Sequence, residues 1–190
     1  MREGLLAKAP SHSRFVPFYL NNARMSFLVA QHLHSLSVDD SIKKNSGFPA
    51  EFECFLWVVV TAYYGMFYAA NAALAKLGLK VGEKIAHKVV QDCLLVYFIK
   101  NTRIAKSLLD AYKDAKGEVL AMMRLSEEEL LKEFQVKAHD LVATFSYQRK
   151  SRGEFQYDIT TKAKENVARL SLERSSAFIR ELSSVIDKIK

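Results

Sequence analysis

The chain has 190 residues, 49% apolar and 26% charged, with a formal charge of +7, two Cys, seven Gly and three Pro. That length suits one domain with its own core, and the apolar share excludes a disordered chain. So few Gly and Pro exclude glycine-rich phosphate loops and the repeated tight turns of a β-sandwich, because both need positive-φ positions that glycine supplies.

The opening stretch, MREGLLAKAPSHSRF, holds too few consecutive apolar residues for a signal-peptide core, and Lys8 and Pro10 interrupt it. Residues 1–14 are expected to be a flexible leader, with a single domain over 15–190. From Phe15 to about Leu36 the apolar positions Phe18, Leu20, Met25, Leu28, Val29, Leu33 and Leu36 fall mostly at spacings of three and four, which predicts a first amphipathic helix. Residues 37–49 are polar and predict a loop closed by Pro49.

The second predicted helix runs from about Ala50 to Leu77 and contains an uncharged run from Cys54 to Ala75. At about 20 residues such a run is long enough to span a membrane. Tyr63, Tyr64, Gly65, Tyr68 and Asn71 sit at its mid-depth, however, and a lipid-exposed helix keeps aromatic amphipaths near its ends. The run is therefore expected to be the central helix of a bundle, covered on every side, with no membrane partner. Gly78 and Gly82 stand where a left-handed cap and a reversal are needed.

Next, HKVVQDCLLVYFIKN predicts a short helix punctuated by Asn101 and Thr102, and a longer one follows from Arg103 to Met123. Ser126 with Glu129 forms a capping-box pattern that opens a further helix carrying Leu130, Leu131, Phe134, Ala138, Leu141, Val142 and Phe145. It breaks in SYQRKSRGEFQYD. Thr160 or Thr161 then caps a last helix with Ala163, Val167, Leu170, Phe178, Leu182 and Ile186 among its apolar positions. No sustained alternation and no repeat appears. The expected fold class is all-α, an up-and-down bundle of four to six helices around the central apolar helix.

Common catalytic and metal signatures are missing: there is no HExxH, GxxxxGK[ST] or GxSxG, and no Cys/His cluster with metal spacing. His32 and His34 point about 200° apart on a helix and are read as surface residues. Glu127, Glu128 and Glu129 lie in a first helical turn, where they complement the dipole. Cys54 and Cys93 form no CxxC pair and read as buried thiols of a reducing cytoplasm. No metal and no cofactor is expected.

Two places carry more information. In TAYYGMFYAANAAL, Thr61 to Leu74, the polar groups of Tyr64, Tyr68 and Asn71 need hydrogen-bond partners within an apolar run, and all three are read as satisfied buried polar residues. In YQRKSRGEFQYD, Arg149, Lys150 and Arg152 precede Phe155 and Tyr157. Arginine offers planar multi-donor contact to phosphate, and a nearby ring stacks on a base, so this stretch is the best anion-binding candidate; the plainer alternative is a solvated connection between helices. His87 and Lys88, at the start of the short helix, are expected to add a cation at the same end of the bundle.

Together these places resemble the HEPN family. Its prokaryotic members carry a central helix close to AYYAMFHAARALL, against AYYGMFYAANAAL at Ala62–Leu74 here. They follow it with a loop and a Ser/His/Lys-like helix start, which His87 and Lys88 resemble, and later with an Arg-x-x-Ala-Asp-Tyr pattern, of which Arg152 and Tyr157 keep the offset with Phe155 and Gln156 between. The resemblance covers about Phe15 to Ile189. It implies a HEPN-like homodimer that binds RNA or a nucleotide through Arg149, Lys150, Arg152, Tyr157, His87 and Lys88, in a toxin–antitoxin or defence module with a nucleotidyltransferase partner.

Many HEPN proteins are metal-independent ribonucleases with an Arg and a His four to six residues further on. Counting from Arg149 or Arg152, the corresponding positions hold Phe155, Gln156, Tyr157, Asp158 or Ile159. Tyr, with a reference pKa about 10, moves protons poorly near neutral pH. The expectation therefore leans to a binding protein. The alternatives are a ribonuclease whose weak catalytic candidates are Arg152, His87 and Tyr157, and a structural adaptor without a ligand.

Overall fold

The computed structural model describes residues 5–82, 86–123 and 161–189. Over these residues the protein is an all-α bundle carrying one short two-stranded ribbon. In chain order come β1 (Leu6–Lys8), a 3-10 helix (Pro10–Phe15), α1 (Val16–Val38), α2 (Asp40–Asn45), α3 (Phe55–Lys76), β2 (Leu79–Val81), α4 (Ala86–Cys93) running into a π-helical stretch (Leu94–Ile99), α5 (Lys106–Met123) and α6 (Thr161–Lys188). The helix expected from the capping box at Ser126 and Glu129 lies outside the described residues.

Central position falls to α3, as its uncharged sequence predicts. Fifteen of its residues are buried, and α1, α5 and α6 all pack on it. It is the one helix among the described residues long and apolar enough to cross a membrane, yet 78% of that window is buried inside the protein, as for the core helix of a bundle. Small residues set the packing distance. A Cβ at Gly65 would stand 3.2 Å from the Ala23 carbonyl oxygen of α1, 3.2 Å from Ile179 Cδ1 and 3.3 Å from Ser175 Oγ of α6. Ala23 and Ala30 of α1 are fully buried on that side, and the Ser175 hydroxyl donates to the Ala62 carbonyl at 2.8 Å.

On α6, Ala168, Ser171, Ser175, Phe178, Leu182 and Ile186 are buried at spacings of three and four, which makes one continuous inner face. Arg174, beside that face, reaches Glu118 and Asp114 of α5, while Ser171 donates to Glu118 at 2.9 Å. Lys164 pairs with Glu53 at 2.6 Å and ties the start of α6 to the segment before α3.

Gly78 takes the predicted left-handed turn after α3, with φ of 66°. The Gly82 N–H donates to the Leu5 carbonyl at 2.8 Å, beside the ribbon. Within the expected flexible leader, residues 6–8 and 10–14 lie in regular elements. Leu6–Lys8 pairs antiparallel with Leu79–Val81, and the Ala9 N–H donates to the Gly78 carbonyl at 2.7 Å. A three-residue strand is too short to show alternation, and its partner lies some seventy positions away, so local pattern carries no sign of it. The loop expected over 37–49 also contains α2, started by the Asp39 carboxylate, which accepts from Ser41 N at 2.8 Å and Ile42 N at 3.1 Å.

Candidate functional site

Three helices bring the polar groups of the core together. α3 contributes Tyr63, Tyr64 and Phe67, α4 contributes His87, and α5 contributes Tyr112 and Lys116. Tyr63 and Tyr112 are fully buried, and His87 and Lys116 are buried with 5% and 9% of their surface exposed. Tyr63 Oη lies 2.8 Å from His87 Nδ1 and 3.3 Å from Tyr112 Oη, so one chain of hydrogen bonds links the three helices. The His87 ring also stands 4.2 Å from the Phe67 ring centroid and 5.5 Å from that of Tyr63, while Tyr64 meets it edge-on at 6.2 Å. Tyr112 in turn stacks on Phe178 of α6 at 5.5 Å.

Burial dominates the electrostatics of the cluster. Burial, and next the Lys116 cation, lower the His87 pKa to about 4, so the imidazole is neutral near pH 7. Burial also pushes the Tyr64 and Tyr112 hydroxyls above the ordinary tyrosine value. The Tyr63 hydroxyl thus lies between the His87 ring nitrogen and the Tyr112 hydroxyl and is hydrogen-bonded to both. Such a chain fixes the ring and fastens the start of α4 to the bundle centre.

His87 is thus a correction: expected to project as a cation, it is a neutral core residue. Its neighbour Lys88 is exposed on α4. Asn71 is buried and satisfied, its side-chain N–H donating to the Phe67 carbonyl at 2.9 Å. Tyr64 and Tyr68 are only half-buried, and Tyr63 takes the fully buried place expected for them. His32 is exposed as read, but His34 is half-buried beside Phe55, at 6.3 Å between ring centroids. Arg149, Lys150, Arg152 and Tyr157 lie outside the described residues, as do Glu127, Glu128 and Glu129.

Reading the sequence missed Tyr63, Tyr112 and Lys116. A helix apolar all round gives no preferred face, which hid Tyr63 beside Tyr64. For α5 a signal exists: Leu109, Tyr112, Lys116 and Val119 follow core spacing, so Lys116 stands on the buried face. Among the described residues no group of three or more His, Cys, Asp or Glu is placed to hold a metal. Comparison with family models, curated proteins and solved structures returns no match.

Proposed function

We propose that the protein is a HEPN-like RNA- or nucleotide-binding protein. It would act in the cytoplasm as a homodimer, within a toxin–antitoxin or defence module that includes a nucleotidyltransferase. The observation that carries this reading is the placement of AYYGMFYAANAAL on the central helix α3, with the His87 ring held against its Tyr63 and Phe67. That is the order of parts the HEPN resemblance leads one to expect. The charge of +7 and the exposed Lys88 favour an anionic ligand.

Binding is the better reading than RNA cleavage because of His87. A general base must reach the proton it abstracts, and this imidazole is buried, with Nδ1 engaged by Tyr63. The test is titration of labelled short RNA, and separately of ATP, into wild type and an Arg149→Ala/Arg152→Ala double variant. Wild type is expected to bind and the double variant to bind more weakly. Equal affinity would remove the assigned contacts, and cleavage of RNA in EDTA that is lost in both Arg152→Ala and His87→Ala would establish the ribonuclease instead.

A further inference from the structure

The 3-10 helix and the first turn of α1 gather cations and aromatic rings on one surface. Their scaffold is fixed by the ribbon: Ala9 is hydrogen-bonded to Gly78, and a Cβ on Gly78 would stand 3.1 Å from Pro10 Cα. His12 lies 5.0 Å from the Phe15 ring centroid and 5.9 Å from that of Tyr19, with its Nε2 3.4 Å from Tyr19 Oη. The Arg14 guanidinium covers Phe15 at 4.9 Å, and Phe18 meets Tyr19 edge-on at 5.4 Å. Lys80, opposite Ala7 in the ribbon, is exposed, and the charges of Lys80 and Arg14 both act on the His12 ring. Phe18 has 58% of its surface in solvent, more than any other large apolar residue described.

Carboxylates are absent from the segments that build this surface. Neither Leu5–Val38 nor Cys54–Gly82 contains an Asp or Glu, and among the described residues neither Arg14 nor Lys80 enters an ion pair. Two uncompensated cations beside an exposed ring match a ligand that alternates phosphates with flat bases. An acidic peptide supplies the charge but does not by its backbone pair each charge with a flat ring, as a nucleic-acid strand does.

We infer that this surface is a binding site for single-stranded nucleic acid, in which Arg14 and Lys80 contact phosphates and Phe18 stacks on a base. The inference rests on the reading of the protein as a nucleic-acid binder and adds contact residues other than Arg149 and Arg152. The probes are labelled oligouridylate and oligothymidylate, titrated into the full chain over a range of salt. Arg14→Ala/Lys80→Ala is expected to reduce the salt slope by about 1.4, the value for two phosphate contacts on a single strand. Phe18→Ala is expected to weaken binding at least about fivefold, the lower end for loss of one stacked base. Phe18→Trp should bind as wild type and Phe18→Leu as Phe18→Ala. All three positions are exposed, so thermal unfolding should be unchanged.

An unaltered salt slope in the double variant, or wild-type affinity in Phe18→Leu, would overturn the site. So would a patch that instead governs binding to anionic vesicles. Oligonucleotide binding that survives the patch variants but is lost in Arg149→Ala/Arg152→Ala would refute this inference alone. Failure of wild type to bind either oligonucleotide would refute this inference and the RNA-binding form of the proposed function, and titration of ATP then decides its nucleotide-binding form. A difference between the two probes would show whether the ribose 2′-hydroxyl is read.

Discussion

Replacing His87 with Gln tests the buried cluster most sharply, because Gln keeps a hydrogen-bond acceptor near Tyr63 but does not titrate. In the folded protein the His87 pKa is lowered to about 4 from its ordinary 6.5, first by burial and then by Lys116. Between those values the unfolded chain binds a proton that the folded protein refuses, so stability rises with pH across the window and falls as pH drops through it. The full effect is about 3 kcal/mol, and about 2 kcal/mol of it has been lost by about pH 5. Urea unfolding of wild type and His87→Gln at about pH 7.5 and about pH 5 isolates this contribution, since titrating groups common to both proteins cancel. Wild type should lose about 2 kcal/mol more than the variant between the two pH values. Equal losses would mean that His87 is not held neutral in the core, and the hydrogen-bonded chain described above would be wrong.

Gly65→Val should lower stability by about 2 kcal/mol or more in thermal unfolding, because the branched side chain meets the Ala23 carbonyl, Ile179 and Ser175 at a three-helix contact; unchanged stability would show that α1, α3 and α6 do not meet there. Cys93 is buried, and burial raises its thiol pKa to about 11, so near pH 8 a thiol reagent should modify it far more slowly than it does after unfolding in urea. Rapid modification of Cys93 in the folded protein, read by peptide mass, would contradict the packing of α4.

Fold features were legible where the signal is local and chemical. The uncharged run from Cys54 to Ala75 leads directly to the central helix, and Gly78 to the turn that ends it, because burial and positive φ each select residue types. The ribbon was hidden because Leu6–Lys8 is defined by a distant partner rather than by its own pattern. α2 was readable in principle from Asp39 as a cap, but six residues give too short a periodicity to show through a polar stretch. At the candidate site, composition cannot say which way His87 turns. That depends on Tyr63 offering a hydroxyl and Phe67 a ring at the place where α4 begins, a match between helices that no single segment contains. The aromatic cluster at residues 12–19 was equally hidden, since Phe18 reads as one more apolar position of an amphipathic helix until its exposure is known.

The central claim is that this bundle binds nucleic acid or nucleotide through phosphate contacts. It is tested most directly by titrating labelled short RNA into the full chain at low and at near-physiological salt. Saturable binding that weakens as salt rises is the predicted result. No binding at low salt to RNA or to ATP, or binding indifferent to salt, would contradict the account.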